Sequence, residues 1–184
     1  MHHCRLIAKL KALGIYGKIA SWIESWLNGR QQRVITNGSV SGWSLVRSGV
    51  LQESGLGRLL FLMFINDLDD GISGIILKFA DDTKLMAKVG KVNEIEKLRG
   101  DLQKLGTRSN MWQMVFNADK CKLLHFDNNN QQVHYVMNGN ILESVEEERD
   151  LGIIIQSNLK VDKQCGKADR IANSILCKDK EIFH

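Results

Sequence analysis

Apolar residues recur through the first 28 positions at the three- and four-residue spacing of a helix. The stretch CRLIAKLKAL and, beyond Gly14 and Gly17, the stretch KIASWIESWLNG predict two helical pieces between residues 4 and 28. The second gathers Ile19, Trp22, Ile23, Trp26 and Leu27 on one face before Gly29 stops it, and both tryptophans are expected in a core. The period then changes. RQQRVITNGSVSGWSLVRSG reads as two strands around an Asn37-Gly38 turn. From Ser54 to Leu68, SGLGRLLFLMFINDL is apolar on nearly every side, which predicts a buried helix closed by Asn66 and Asp67.

Next comes ILKFADDTKLMA, where two adjacent aspartates stand between short apolar runs. Ile75, Leu77, Phe79 and Leu85 can alternate inward as a hairpin, with Asp81 and Asp82 in the bend. Turn chemistry alone accounts for the pair. Adjacent carboxylates at a hairpin tip are also hard oxygen ligands of the kind that bind magnesium. Both readings stand on the hairpin by itself.

VNEIEKLRGDLQKLGTRSNMWQM carries Ile95, Leu98, Leu102 and Leu105 at helical spacing with charges opposite, an amphipathic helix expected to cover a sheet. KCKLLHF, VHYVMNG, NILESV and DLGIIIQ are short strand candidates, with DNNNQQ and Asn138-Gly139 as turns. A basic helical tail, KVDKQCGKADRIANSILCKDKEIF, follows. Helices alternating with antiparallel hairpins define an α+β domain, an antiparallel sheet with helices packed on one face.

Composition narrows the picture moderately. The 184 residues are 43% hydrophobic and 25% charged, enough for one cored domain. Net charge is +4 with a pI near 8.9, compatible with nucleic acid and too weak to argue for it. No apolar run reaches membrane-spanning length, so no membrane partner is expected. The N-terminal residues alternate charge with apolar positions unlike a leader, so an intracellular site, nuclear or cytoplasmic, is the default. Cys4, Cys121, Cys165 and Cys177 show no metal or disulfide spacing and are expected to be reduced structural thiols. The chain has no proline, where average usage gives roughly nine.

Four blocks in order, SGVLQESGLGRLLFLMFINDL, FADD, WQMVFNADKCKLLHF and ERDLGIII, resemble the reverse transcriptase domain of LINE-type retrotransposons lacking long terminal repeats, of the jockey and chicken-repeat kind. The likeness extends from HCRLIAKLKALGIYGKIASWIESWLNGRQQRV to QSNLKVDKQCGKA. It implies a partial polymerase palm over residues 1–156 and the start of a thumb-like basic tail over 157–184. By the same resemblance, Asp81 and Asp82 are catalytic and bind two magnesium ions, and Phe79, which opens their block, contacts nucleotide or template. Ser48, Gly49 and Gln52 contact template and incoming nucleotide, Lys120 approaches the triphosphate and protonates pyrophosphate, and Leu151-Gly152 falls in the primer-grip hairpin. The implied partners are an RNA template, a DNA primer and nucleoside triphosphates.

Departures from the family pattern bear on competence. The family's second metal-binding strand ends in AFD, upstream of the H-x-x-L with which this chain opens, so that aspartate and the fingers are expected to be missing and the chain inactive alone. The family's PQG is LQE here, placing Glu53 where a glycine lets backbone approach nucleic acid. Arg58, Leu51 and Leu45 stand where proline is usual, as after accumulated substitution in an element no longer held to function. Two other readings follow: a non-catalytic nucleic-acid-binding or interaction remnant, with Lys78, Lys84, Lys88, Lys91 and Lys97 as phosphate contacts, or a translated pseudogene product without a selected role.

Overall fold

A computed structural model describes residues 1–127 and 130–182. The chain divides into two compact units, one of Met1–Met86 and Lys104–Val115, the other of Ala87–Gln103 and the residues from Phe116 onward. Helices and short ladders make both units, and the α+β class holds. Among the described residues the strands pair in six two-stranded ladders rather than in one continuous sheet.

The first unit is built on three helices. Helix α1 (His3–Ala12) buries Leu6, Ile7 and Leu10, and α2 (Gly17–Leu27) buries Ala20, Ile23 and Leu27. The buried stripe of α2 is centred nearer Ala20 than its large side chains suggest. Trp26 is half-buried, while Ile19 and Trp22 are exposed instead of lying in the core. A small residue at a helix crossing allows close approach, so Ala20 takes the contact that the apolar pattern assigns to its bulky neighbours.

Strands β1 (Gln31–Gln32), β2 (Ile35–Thr36), β3 (Ser39–Val40) and β4 (Ser44–Leu45) form an exposed two-stranded ribbon. At its tip Asn37 and Gly38 have φ of 46° and 79°, the left-handed pair that a type I′ turn requires. Helix α3 (Gly55–Ile65) then begins at Ser54, whose hydroxyl accepts from the Gly57 amide at 2.9 Å and donates to the Leu51 carbonyl at 2.8 Å. A Cβ on Gly57 would lie 2.2 Å from that carbonyl oxygen, so this cap needs glycine. Leu60, Phe64 and Ile65 join the α1 and α2 residues in the core, but Leu59 and Leu62 are exposed. The all-round burial expected of α3 is therefore confined to one side, because the elements packed on it within the unit cover only that face.

Cations collect where α3 ends. Lys9 is buried, lies over the rings of Phe64 (4.7 Å) and Trp112 (4.3 Å), and donates to the Phe64 carbonyl and the Asp67 carboxylate. Arg108 donates to the Asp67 carbonyl, Lys78 to the Asn66 carbonyl at 2.9 Å, and Lys104 to the Gly71 carbonyl at 2.7 Å. Carbonyls left unpaired at a helix C-terminus carry partial negative charge, which explains the gathering. Strands β5 (Ile75–Phe79) and β6 (Asp82–Met86) follow as one antiparallel hairpin. Helix α4 (Val92–Trp112) begins where the Glu94 carboxylate accepts from the Lys91 amide at 2.9 Å, and its length is divided between the two units.

In the second unit, Ile95, Leu102, Tyr135, Met137 and Leu142 are buried, and Leu98 is half-buried. Strand β7 (Lys122–Leu124) takes β10 (Glu143–Val145) as a parallel partner, a departure from all-antiparallel pairing, with Lys122 opposite and bonded to Glu143. Between them β8 (Val136–Met137) and β9 (Asn140–Ile141) close around Asn138-Gly139. Then β11 (Glu147–Asp150) and β12 (Ile153–Gln156) pair around Leu151-Gly152, so that the strand candidate DLGIIIQ divides into a strand end, a turn and a second strand. Helix α5 (Asp162–Ile182) is tied to that hairpin by Gln164, which accepts from the Ile154 amide at 3.0 Å, and by an ion pair between Lys163 and Glu147. Of the expected DNNNQQ turn, Asn128 and Asn129 lie outside the described residues, as do Phe183 and His184 of the tail. The four cysteines are free. Burial raises the Cys121 thiol above its ordinary value, which favours its protonated form.

Candidate metal and nucleotide site

Two residues, Ala80 and Asp81, link Phe79 to its cross-strand partner Asp82. Ala80 has a φ of 52°, the left-handed value that primed hairpin turns demand at their first position and that glycine usually supplies. Asp81 thus sits in the turn and Asp82 opens the returning strand, both exposed. A non-glycine residue in this region costs about 1 kcal/mol or more, so the tip is held by the ladder on either side of it.

Register decides what surrounds the carboxylates. Phe79, Leu77 and Ile75 pair with Asp82, Lys84 and Met86, so these six share one face of the hairpin. That face is the more open one, with Phe79 61% and Ile75 62% exposed, whereas Ile76 and Lys78 are half-buried. The alternation predicted for Ile75, Leu77 and Phe79 exists, but it turns outward. Lys78 accounts for the inversion: its ammonium reaches the Asn66 carbonyl and the Asp69 carboxylate on the covered side. The hydrogen bond from Lys78 holds the Asp69 carboxyl below its ordinary value. Lys78 is therefore engaged within the unit and not a ready phosphate contact.

The other candidates occupy two places. Ser48 and Gly49 lie against the N-terminal residues: His2 bridges to Ser48, the Gly49 amide donates to the Met1 carbonyl at 2.8 Å, and the His3 ring meets the Gly49 carbonyl at 2.8 Å. Gln52 is exposed in the turn before the Ser54 cap, beside Glu53, whose φ is 64°. The backbone there adopts the conformation that glycine favours, although the side chain is a glutamate. Lys120 ends a short 3₁₀ turn, Ala118–Lys120, in the second unit, and its side chain is exposed. The hairpin brings Phe79, Asp81 and Asp82 together, and the segment before α3 brings Ser48, Gly49 and Gln52 together.

Two neighbouring carboxylates and open solvent suit one hard divalent cation completed by water. Among the described residues no group of three His, Cys, Asp or Glu side chains could hold a metal, so the donor set falls short of a two-ion centre. Sequence reasoning missed Lys9 and the left-handed Ala80. Lys9 was visible as a lysine on the apolar stripe of Leu6 and Leu10; Ala80 left no signal beyond the brevity of the turn.

An α+β chain that displays paired aspartates on a two-residue hairpin fits a polymerase palm. The sequence profile of reverse transcriptase (RNA-dependent DNA polymerase) matches residues 1–155, and the chain belongs to that family. It is 28% identical over 167 residues to the RNA-directed DNA polymerase from mobile element jockey of Drosophila funebris. That alignment covers 85% of this chain and 18% of the relative, so the chain spans about a fifth of the relative's length. The resemblance to LINE-type reverse transcriptases is borne out. The family uses divalent metal ions and acts on a nucleic acid template with nucleotide substrates. No helix among the described residues is long and apolar enough to cross a membrane.

Proposed function

We propose that this chain carries the palm of an RNA-directed DNA polymerase from a retrotransposon lacking long terminal repeats, with residues 1–156 as palm and 157–184 as the start of a thumb-like tail. The observation that carries the reading is the strained hairpin tip, Phe79-Ala80-Asp81-Asp82, inside the stretch that the family profile matches. Asp81 and Asp82 would hold magnesium through carboxylate oxygens. When bound, the ion supplies Lewis-acid stabilisation of the charge that develops on phosphoryl oxygens. Ser48, Gly49 and Gln52 orient template and incoming nucleotide, Phe79 flanks the carboxylates, and the Lys120 ammonium donates a proton to departing pyrophosphate. Leu151-Gly152 positions the primer that pairs with the RNA template.

The chain by itself holds one loosely bound ion and does not extend a primer, since two adjacent carboxylates cannot neutralise two cations. Glu53 adds a second obstacle by setting a carboxylate beside Gln52, where it repels phosphate. The test is a chimera in which residues 1–155, the stretch that the family profile matches, replace the corresponding segment of the Drosophila funebris relative. RNA-templated DNA synthesis is expected with Glu53→Gly, less with Glu53 kept, and none after Asp81→Asn. A folded chimera that is inactive with Glu53→Gly, or one that survives Asp81→Asn, contradicts the assignment.

A further inference from the structure

The β5–β6 hairpin leaves an edge and a face of β5 uncovered. Among the described residues β5 pairs with β6 alone, so no strand lies along its other edge. On the open face Ile75, Leu77 and Phe79 are 62%, 49% and 61% exposed. An apolar strand with a free edge is a template for another strand.

Register shows which backbone groups that edge offers. A two-residue hairpin turn closes on a hydrogen-bonded pair, here Phe79 and Asp82, and such pairs alternate with non-bonded ones along an antiparallel ladder. Phe79, Leu77 and Ile75 therefore direct their amides and carbonyls toward β6, and those of Ile76 and Lys78 point outward. The apolar positions 75, 77 and 79 are symmetric about Leu77. A second copy laid antiparallel about Leu77 sets Ile76 opposite the partner's Lys78, so the outward groups of both copies meet as hydrogen-bonded pairs. Leu77 then faces the partner's Leu77 as a non-bonded pair, the kind that brings side chains closer, and Ile75 faces the partner's Phe79. Charge agrees with this placement. Asp82 and Lys84 lie on β6, away from the seam, and the Lys78 ammonium is held by Asn66 and Asp69 on the covered side. The same operation on β6, about its central Lys84, would oppose two ammoniums.

We propose that the free edge of β5 is a dimerisation surface for a second copy of this chain, joined about a two-fold axis at Leu77 into a four-stranded antiparallel sheet in the order β6, β5, β5, β6. The contact is isologous, so assembly closes at two copies. It stands apart from the metal reading. Association is measured without divalent cation, so its failure leaves Asp81 and Asp82 untouched, and an inactive chimera leaves the dimer standing.

The experiment is sedimentation equilibrium of the full chain over a range of concentrations. A dimer is expected that dissociates on dilution through roughly the micromolar range, because the contact is small. Leu77→Lys and Leu77→Glu should each weaken association about tenfold or more, since each sets like charges against one another at the axis. Mixed in equal amounts, the two variants should associate again, because this two-fold places position 77 opposite itself. Ile76→Pro removes an outward amide and none of the bonds to β6, and should abolish the dimer. Ile141→Lys, at an exposed position in the second unit, should leave association unchanged. Circular dichroism checks that each variant is folded, and amide hydrogen exchange tests the unaltered chain: protection at Ile76 and Lys78 should rise with concentration. A monomer at every concentration, open-ended assembly, a dimer indifferent to Leu77→Lys, no recovery in the mixture, or exchange at Ile76 and Lys78 that ignores concentration would overturn the proposal.

Discussion

The Asn37-Gly38 and Ala80-Asp81 turns do the same mechanical task in the same unit, each joining two antiparallel strands with two residues. Their chemistry differs. The first fills its left-handed positions with asparagine and glycine, the residues that tolerate them, and displays no charged group. The second forces alanine to a φ of 52° and follows it with two exposed aspartates. A turn selected for folding alone would resemble the first. The second keeps an unfavourable conformation together with like charges, the combination expected where a site rather than the hairpin sets the sequence. Glu53, at a φ of 64° beside Gln52, shares only the strain, since there a side chain stands where the family has glycine.

Substitutions can break or sharpen this contrast. The largest effect is expected from Gly38→Val, which places a β-branched residue at a φ of 79° and should lower stability by about 1–2 kcal/mol in urea unfolding. Ala80→Gly should do the opposite. Relief of left-handed strain outweighs the added freedom of the unfolded chain, and stability should rise by about 0.5 kcal/mol. If Ala80→Gly destabilises, the turn is not strained and the contrast fails. Glu53→Gly should stabilise by a similar amount, about 0.5 kcal/mol, while also raising synthesis in the chimera, an effect Ala80→Gly should lack.

The smallest effect concerns pH. The Asp69 carboxyl titrates below its ordinary value through its bond from Lys78, so its contribution is present above the unfolded pKa and disappears as pH falls through the lower folded one. Because half of that side chain is exposed, the loss is slight. Acid unfolding of wild type and Asp69→Asn should converge below about pH 4 and separate above it. Curves that stay parallel throughout would remove Lys78 as the residue that turns the hairpin.

What could be read in the sequence was local. Asn37-Gly38, Asn138-Gly139 and the Ser54 cap are specified by residues within a few positions, and each lies where the pattern predicts. The paired aspartates were legible for the same reason. What escaped depended on partners far along the chain. Alternation fixed which of Ile75 to Phe79 share a face, but the choice of covered face came from Lys78 reaching Asn66 and Asp69. Likewise the burial of Lys9 rests on Phe64, Asp67 and Trp112, which no local pattern connects to it. Trp22 was misplaced because the stripe of α2 follows Ala20, a residue whose importance comes from its smallness.

The most direct test of the account is paramagnetic broadening of amide NMR signals by manganese, a divalent probe of oxygen-ligand sites. Titration into the full chain should broaden the resonances of Phe79 to Thr83 first and at weak affinity, and Asp81→Asn with Asp82→Asn together should remove that broadening while leaving the rest of the spectrum in place. Broadening that begins elsewhere, or that persists at Phe79 to Thr83 in the double variant, would contradict the assignment of the hairpin tip as the metal-binding site.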